Sequence, residues 1–127
     1  MRLARGLLLL SAVLFAVTGL GYLVVPGLML AVVGVESTST SDFLIRTEGV
    51  ALLCGAGLIW AVLTAGPRPI RIGLVALSAY YVVGSLVDLA AFAVGIVGLA
   101  SVPSAAARIV VGCACLVAAW RLDEPAS

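Results

Sequence analysis

The sequence contains no histidine, lysine, asparagine or glutamine, and charged residues occupy only 10% of its 127 positions. The lack of histidine removes the side chain that titrates near neutral pH and that most often binds metals. A serine or cysteine nucleophile would lack its usual base, and the few acidic residues are too scattered for an oxygen-ligand metal site. We therefore expect no enzymatic activity, no cofactor and no metal in the isolated chain.

Positive charge is also scarce. The basic residues are seven arginines, which oppose six acidic residues and leave a net charge of +1. Binding to nucleic acid requires a clustered basic face that neutralises phosphates. The charge balance therefore argues against a nucleic-acid partner.

The sequence contains three cysteines, but their pattern does not indicate a disulfide framework. Cys54, Cys113 and Cys115 all lie in apolar runs, and their odd number and spacing do not suggest disulfides. We expect them to act as small apolar packing residues.

Apolar residues are what the chain has in abundance. They make up 64% of the sequence, and the mean hydropathy is +1.30. A soluble domain is typically about 45–50% apolar and about 25% charged. The composition therefore predicts an integral membrane protein whose solvent is the lipid bilayer.

Four apolar runs have the length of a transmembrane helix, which needs about 20 residues. They predict an all-α, four-helix transmembrane bundle in a single domain, 1–127, with spans at about 7–25, 43–63, 70–92 and 105–120. Pro26 should end the first helix, so that 27–33 forms a short interfacial or re-entrant helix. Ser41 or Asp42 is a candidate N-cap for the second span, and Ser104 is one for the fourth.

The arginines predict the orientation, since cytoplasmic loops carry an excess of basic residues. Two of them, Arg46 and Arg108, fall on one side of the predicted membrane. The other five fall on the opposite side: Arg2, Arg5, Arg68, Arg71 and Arg121. This predicts a multi-pass plasma-membrane protein with cytoplasmic termini, including a short polar tail at Asp123 and Glu124.

Small residues indicate where helices approach each other in a membrane. Span two contains Ala51, Gly55, Gly57 and Ala61, and span four is rich in alanine around Gly112. We expect these two spans to pack closely against each other.

One group of charged residues lies within the predicted spans. Arg46, Glu48, Asp88 and Arg108 all fall in the outer third of the bilayer when depth is counted at about 1.5 Å per residue. A charge within the bilayer is costly and needs a partner or a function. We expect the four to meet, with Arg46 or Arg108 pairing with Asp88 and Glu48.

Polar residues accompany Asp88 on its own helix. Ser85 and Tyr81 lie three and seven residues earlier, and Tyr80 is near the same face, which should point into the bundle. Tyr22 could join them from span one. The set is either an ion-pair network that fixes helix register, a site for a lipid, quinone or other amphipathic molecule, or part of an ion path. An ion path needs ionisable groups along its whole length, and apart from Arg71 at the inner end of span three the inner two thirds of the spans contain no charged side chain, which argues against the ion path.

Two segments carry a resemblance to a known family. Gly21-Tyr-Leu-Val-Val-Pro26 closes span one, and Leu44-Ile-Arg-Thr-Glu-Gly49 opens span two, with Gly55 and Gly57 following. In these segments the sequence resembles the DoxX-like small four-helix membrane proteins. The resemblance implies a compact membrane bundle associated with redox or quinone-linked complexes.

Two functions remain open at this point. Small size, minimal loops and packing-rich helices favour an accessory or assembly subunit of a larger membrane complex, for example a respiratory or redox complex. Its partners would be other membrane subunits or further copies of the chain, within the lipid bilayer. The alternative is a binder or transporter of a small molecule, lipid or quinone that uses the outer charged residues.

Overall fold

The structure, a computed structural model, describes residues 1–122 of the chain. These residues form five helices and no strand: α1 (Arg2–Val24), α2 (Pro26–Val32), α3 (Ser39–Thr64), α4 (Pro67–Ala93) and α5 (Ser101–Arg121). Four of them, all except α2, are long and apolar enough to cross a membrane. The predicted all-helical class is confirmed, and the predicted polar tail at Asp123 and Glu124 lies outside the described residues.

Proline marks the boundary after the first helix. α1 ends at Val24, and Pro26 is the first residue of the short helix α2. Proline has no N–H to donate into a continuing helix, but its fixed φ suits a first helical position. The chain therefore breaks at Pro26, as predicted, and the helix that follows ends at Val32.

The third helix begins earlier than the sequence suggested. Thr38 is its N-cap, because the Thr38 Oγ1 accepts from the Ser41 N–H at 3.1 Å. In return the Thr38 N–H donates to the Ser41 Oγ at 2.8 Å, which completes a capping box. The prediction of Ser41 or Asp42 as the cap was therefore wrong, since Ser41 is the reciprocal partner three residues into the helix. Asp42 accepts a hydrogen bond from the Ser37 hydroxyl instead.

The fifth helix also starts early. It begins at Ser101 with Ala100 as an N-cap that makes no side-chain hydrogen bond, so the predicted cap at Ser104 was wrong. Pro103 lies in the first turn of the helix. The N–H groups of a first turn have no acceptor within the helix, so the missing N–H of a proline costs no hydrogen bond there. The Ser101 hydroxyl donates to the Gly98 carbonyl at 2.8 Å and fixes the preceding turn.

The long helices are arranged as two pairs. α1 packs mainly along α3, and α4 packs mainly along α5, while fewer contacts join the pairs. α3 and α5 do not contact each other within residues 1–122, so the predicted close approach of spans two and four was wrong. Small residues allow a close approach, but they do not specify which helix makes it.

Glycines set the closest approach within each pair. A Cβ added to Gly49 of α3 would lie 2.8 Å from the Gly19 carbonyl oxygen of α1, and one added to Gly19 would lie as close to the Gly49 carbonyl. In the other pair, a Cβ on Gly112 of α5 would meet Tyr81 of α4 at 3.2 Å. Each crossing therefore depends on a residue without a side chain.

The core lies where the two pairs meet. Its fully buried side chains include Leu8 of α1, Ile70 and Leu74 of α4, and Cys115 of α5. Large apolar side chains are also exposed on all four long helices, for example Leu20, Phe43, Val87 and Val110. Much of the outer surface is therefore apolar.

Candidate functional site

The clearest polar contact between α4 and α5 is an ion pair. The Arg108 Nη2 donates to the Asp88 Oδ2, and the two side chains are 32% and 33% exposed. The Arg108 Nη1 lies 3.9 Å from where a Cβ on Gly84 would stand, so the guanidinium packs beside this glycine. The Arg108 Nε also donates to the Ser104 carbonyl at 3.4 Å, which orients the side chain along its own helix.

The other two charged residues of the predicted cluster lie on α3. Arg46 and Glu48 are both exposed, and neither forms a hydrogen bond or ion pair through its side chain within residues 1–122. Two positions apart on an α-helix correspond to a rotation of about 200°. Arg46 and Glu48 therefore project from nearly opposite sides of α3, and the four residues do not form one network.

The polar stripe of α4 turns into the protein. Tyr81 and Ser85 are 4% and 0% exposed. The Tyr81 hydroxyl donates to the Ser11 Oγ of α1 at 3.0 Å, and the Ser85 hydroxyl donates to the Tyr81 carbonyl at 2.7 Å. These hydroxyl groups are therefore engaged in internal hydrogen bonds. Within residues 1–122 no buried side-chain nitrogen or oxygen lacks a partner.

An apolar cleft separates α3 from α4. It has a volume of about 640 Å³ and is floored by Leu8 and Phe15 of α1. Its walls come from α3 and α4, and the lining residues include Gly55, Ile59, Val62, Gly73, Ala76, Leu77 and Tyr80. Tyr80 carries the principal polar atom among them, and its ring centroid lies 5.0 Å from that of Phe15.

The cleft was not identified from the sequence, although it has a signal there. Its lining includes small residues on each helix, for example Gly55 and Ala65 on α3 and Gly73 and Ala76 on α4. Such residues were interpreted as a packing surface. They leave a cleft here because α3 and α4 are each held by a different partner helix.

Polar groups gather beyond the outer end of the cleft. Glu48 lies seven residues before Gly55, hence on the same side of α3 and about 10 Å further along the helix. Tyr22 of α1 lies beside the same stretch of α3, because a Cβ on Gly49 would stand 3.0 Å from the Tyr22 Cβ. The cleft is therefore apolar apart from Tyr80 at its outer end, here called its mouth, and the charged residues lie beyond this mouth.

The described residues, 1–122, contain no candidate metal centre. No group of three or more histidine, cysteine, aspartate or glutamate residues within 1–122 could hold a metal ion. The polar groups at and beyond the mouth are the Tyr80 phenol, the Glu48 carboxylate and the ion pair of Asp88 with Arg108, which offer charge and hydrogen bonds to a polar head group.

The fold and the cleft define a class: an all-helical protein with four helices suited to a membrane and an apolar groove between two of them. The chain belongs to the Tumour protein p53-inducible protein 11 family, whose model matches residues 2–120. No curated protein and no solved structure matches it.

The family match corrects the resemblance drawn from two short segments. Gly21–Pro26 and Leu44–Gly49 suggested DoxX-like proteins, but the match along nearly the whole chain is to a different family. The segments are a helix end at a proline and a helix start with an embedded charge. Many small membrane proteins share such features, so they do not distinguish families.

Proposed function

We propose that this chain is a four-span plasma-membrane protein with both termini in the cytoplasm. The exposed apolar side chains of the long helices support this, since a soluble protein rarely carries large apolar patches. Arg2, Arg68 and Arg121 stand at helix ends that share one end of the fold, with Trp60 and Trp120 exposed nearby. Arginine is favoured on the cytoplasmic side, and tryptophan is favoured at the interface. In this arrangement α2 lies at the outer face.

We further propose that the protein binds an amphipathic, lipid-like small molecule in the cleft between α3 and α4. The cleft carries this proposal, because its volume of about 640 Å³ falls within the range of about 300–1,000 Å³ typical of ligand sites. Its walls are apolar apart from Tyr80 at the mouth, and Glu48 lies further along α3 in the same direction, which suits an apolar chain in the cleft with a polar head beyond it. The lining side chains offer no nucleophile paired with a base, so the proposed role is binding and not catalysis.

The experiment compares the lipid content of two variants that add the same bulk at an exposed alanine. Ala76 lines the cleft, whereas Ala106 is also exposed but lies on α5, which contributes no residue to the cleft lining. After purification in a mild detergent, native mass spectrometry should find a retained amphiphile on the wild type and on Ala106→Phe. Ala76→Phe should have lost it. Equal retention by both variants would contradict the proposal.

A second candidate is the role of accessory subunit in a larger membrane complex. An exposed stripe on α3 favours it, because Val50, Cys54 and Gly57 share one exposed face and none of them lines the cleft. Small residues of this kind let another helix approach closely. Extraction in mild detergent followed by mass determination tests it: a particle with defined other subunits supports the role, and a lone chain argues against it.

A further inference from the structure

A second groove lies between α1 and α3, at the end of the fold where α1 begins and α3 ends. It has a volume of about 300 Å³ and is lined by Arg5, Gly6, Leu9, Trp60, Leu63 and Thr64. It shares no lining residue with the cleft between α3 and α4. A Cβ added to Gly6 would have nothing within 4 Å among the described residues, so the groove is open beside Arg5.

Polar and apolar groups occupy different levels of this groove. Arg5 lies near the start of α1, and Thr64 is the last residue of α3, so both stand at the same end of the fold. Leu9 and Trp60 lie four residues, about one helical turn, further into the fold on the same two helices. A polar group at the surface with apolar groups beneath it matches a phospholipid, whose head lies at the surface and whose chains lie below.

The hydrogen-bond donors of the groove have no partner within the described protein. Neither Arg5 nor Trp60 forms a hydrogen bond or ion pair through its side chain within residues 1–122, and Trp60 is 61% exposed. A guanidinium presents its N–H groups in a planar fork that fits a phosphate, and an indole adds one N–H. The Thr64 hydroxyl already donates to the Ala61 carbonyl at 2.8 Å. Arg5 and Trp60 are therefore the groups available to hold a phosphate.

The charge at this end of the fold favours an anionic head group. Within residues 1–122 the charged side chains at this end are all arginines: Arg2, Arg5, Arg68, Arg71 and Arg121. The acidic residues in the same range all lie towards the opposite end: Glu36, Asp42, Glu48 and Asp88. Asp123 and Glu124, which follow in the sequence, are too few to balance the arginines. A surface with an excess of one charge concentrates ligands of the opposite charge.

We propose that this groove binds an anionic phospholipid, with the phosphate at Arg5 and Trp60 and the first part of a chain along Leu9 and Leu63. The volume is at the lower limit for ligand sites, so it accommodates the head and the start of a chain. In the proposed orientation the groove faces the cytoplasmic leaflet, which is rich in anionic lipids, and basic pockets between membrane helices on that side bind lipid head groups. This site is additional to the cleft and does not depend on the cleft having a ligand.

The test measures binding to the full-length protein in a mild detergent by native mass spectrometry. The probes are palmitoyl-oleoyl phosphatidylglycerol, phosphatidylcholine with the same chains, and glycerol phosphate, which has the head but no chains. The first molecule of phosphatidylglycerol should bind at least about fivefold more tightly than phosphatidylcholine. Glycerol phosphate should bind at least about tenfold more weakly than phosphatidylglycerol because it lacks the apolar chains.

Three variants locate the site. Arg5→Gln should reduce the preference for phosphatidylglycerol to less than about twofold. The matched control is Arg68→Gln, an exposed arginine at the same end of the fold but outside the groove, which should keep the preference. Gly6→Leu should weaken the binding of phosphatidylglycerol by about fivefold or more because it fills the groove. Ala76→Phe fills the cleft instead and should leave the preference unchanged.

The outcomes distinguish this inference from the proposed function. An equal loss of preference in Arg5→Gln and Arg68→Gln would show a general attraction to the basic end and overturn the groove as a site, as would an unchanged preference in Arg5→Gln. If glycerol phosphate bound as tightly as the lipid, the groove would take a free phosphate and the phospholipid would be wrong. A loss of preference in Ala76→Phe alone would place the anionic lipid in the cleft. None of these results removes the ligand of the cleft, which is tested by comparing Ala76→Phe with Ala106→Phe.

Discussion

Asp88 and Arg108 link α4 to α5, and each side chain is about one third exposed, so the pair is neither fully buried nor fully solvated. Removing one partner of an exposed ion pair costs about 0.2–1 kcal/mol, whereas breaking a buried pair costs about 3–5 kcal/mol. For Asp88→Asn we expect an intermediate loss of about 1–2 kcal/mol in the free energy of unfolding, measured by denaturant titration in mixed micelles.

The control for this pair is Arg46→Gln, which removes an exposed arginine that has no ion pair within residues 1–122 and should leave stability nearly unchanged. A double-mutant cycle with Arg108→Gln isolates the interaction, because the second substitution should cost less once Asp88 is gone. Strictly additive losses would show that the pair contributes nothing beyond its separate residues.

The charged residues also show what could be predicted at this scale. Counting residues along the helices put Asp88 and Arg108 at the same level of the bundle, and the structure pairs them. The same count grouped Arg46 with Glu48, although a separation of two positions turns them to nearly opposite sides of α3. The level of a residue along its helix follows from the sequence alone, but which neighbour its side chain meets depends on how the helices are arranged.

At the scale of the helix, apolar length and proline were reliable guides. The break at Pro26 follows from its missing N–H, and four long apolar helices follow from four apolar runs. The helix starts were harder to predict. Several hydroxyl side chains between Ser37 and Ser41 could cap α3, and the choice of Thr38 depends on the reciprocal bond from Ser41. At α5 the sequence signal of Ser104 was misleading, because the helix starts before Pro103 with no side-chain cap.

The crossing of α1 and α3 leads to a second prediction. In Gly49→Ala the new methyl group would lie 2.8 Å from the Gly19 carbonyl oxygen, and backbone on both sides cannot yield without moving the helices. We expect a loss of about 1–3 kcal/mol in the free energy of unfolding, as for other overpacked positions.

The matched control is Gly57→Ala in the same helix, where an added Cβ would have nothing within 4 Å among the described residues. This substitution should be neutral or stabilise the helix by up to about 1 kcal/mol, because alanine is the better helix former. If both variants unfolded at the same denaturant concentration, α1 and α3 would not approach as closely as the structure indicates.

At the scale of the whole molecule, the sequence did not reveal how the helices are paired. Gly55 and Gly57 indicated a close contact for α3, but Gly55 meets Phe15 of α1 and Gly57 is open. The pairing of α1 with α3 and of α4 with α5 is what leaves a cleft between α3 and α4. A cleft is a property of two surfaces that do not meet, so no pattern within one helix predicts it.

The proposed topology gives the third prediction, because it assigns the arginine-rich end of the fold to the cytoplasm. In a variant with Cys54, Cys113 and Cys115 replaced by alanine, a single new cysteine reports which side of the membrane it occupies. Glu36→Cys, between α2 and α3, should react in intact cells with a maleimide that cannot cross the membrane. Arg68→Cys, at the start of α4, should react only after the cells are permeabilised.

The reverse labelling pattern would place the arginine-rich end outside and contradict the orientation. Labelling of both positions from outside would mean that α3 does not cross the membrane, because α3 alone separates Glu36 from the turn before Arg68. With the proposed orientation, Glu48 and the mouth of the cleft lie in the outer leaflet. A ligand would then enter from the outer leaflet, with its head near the outer surface and its chain between α3 and α4.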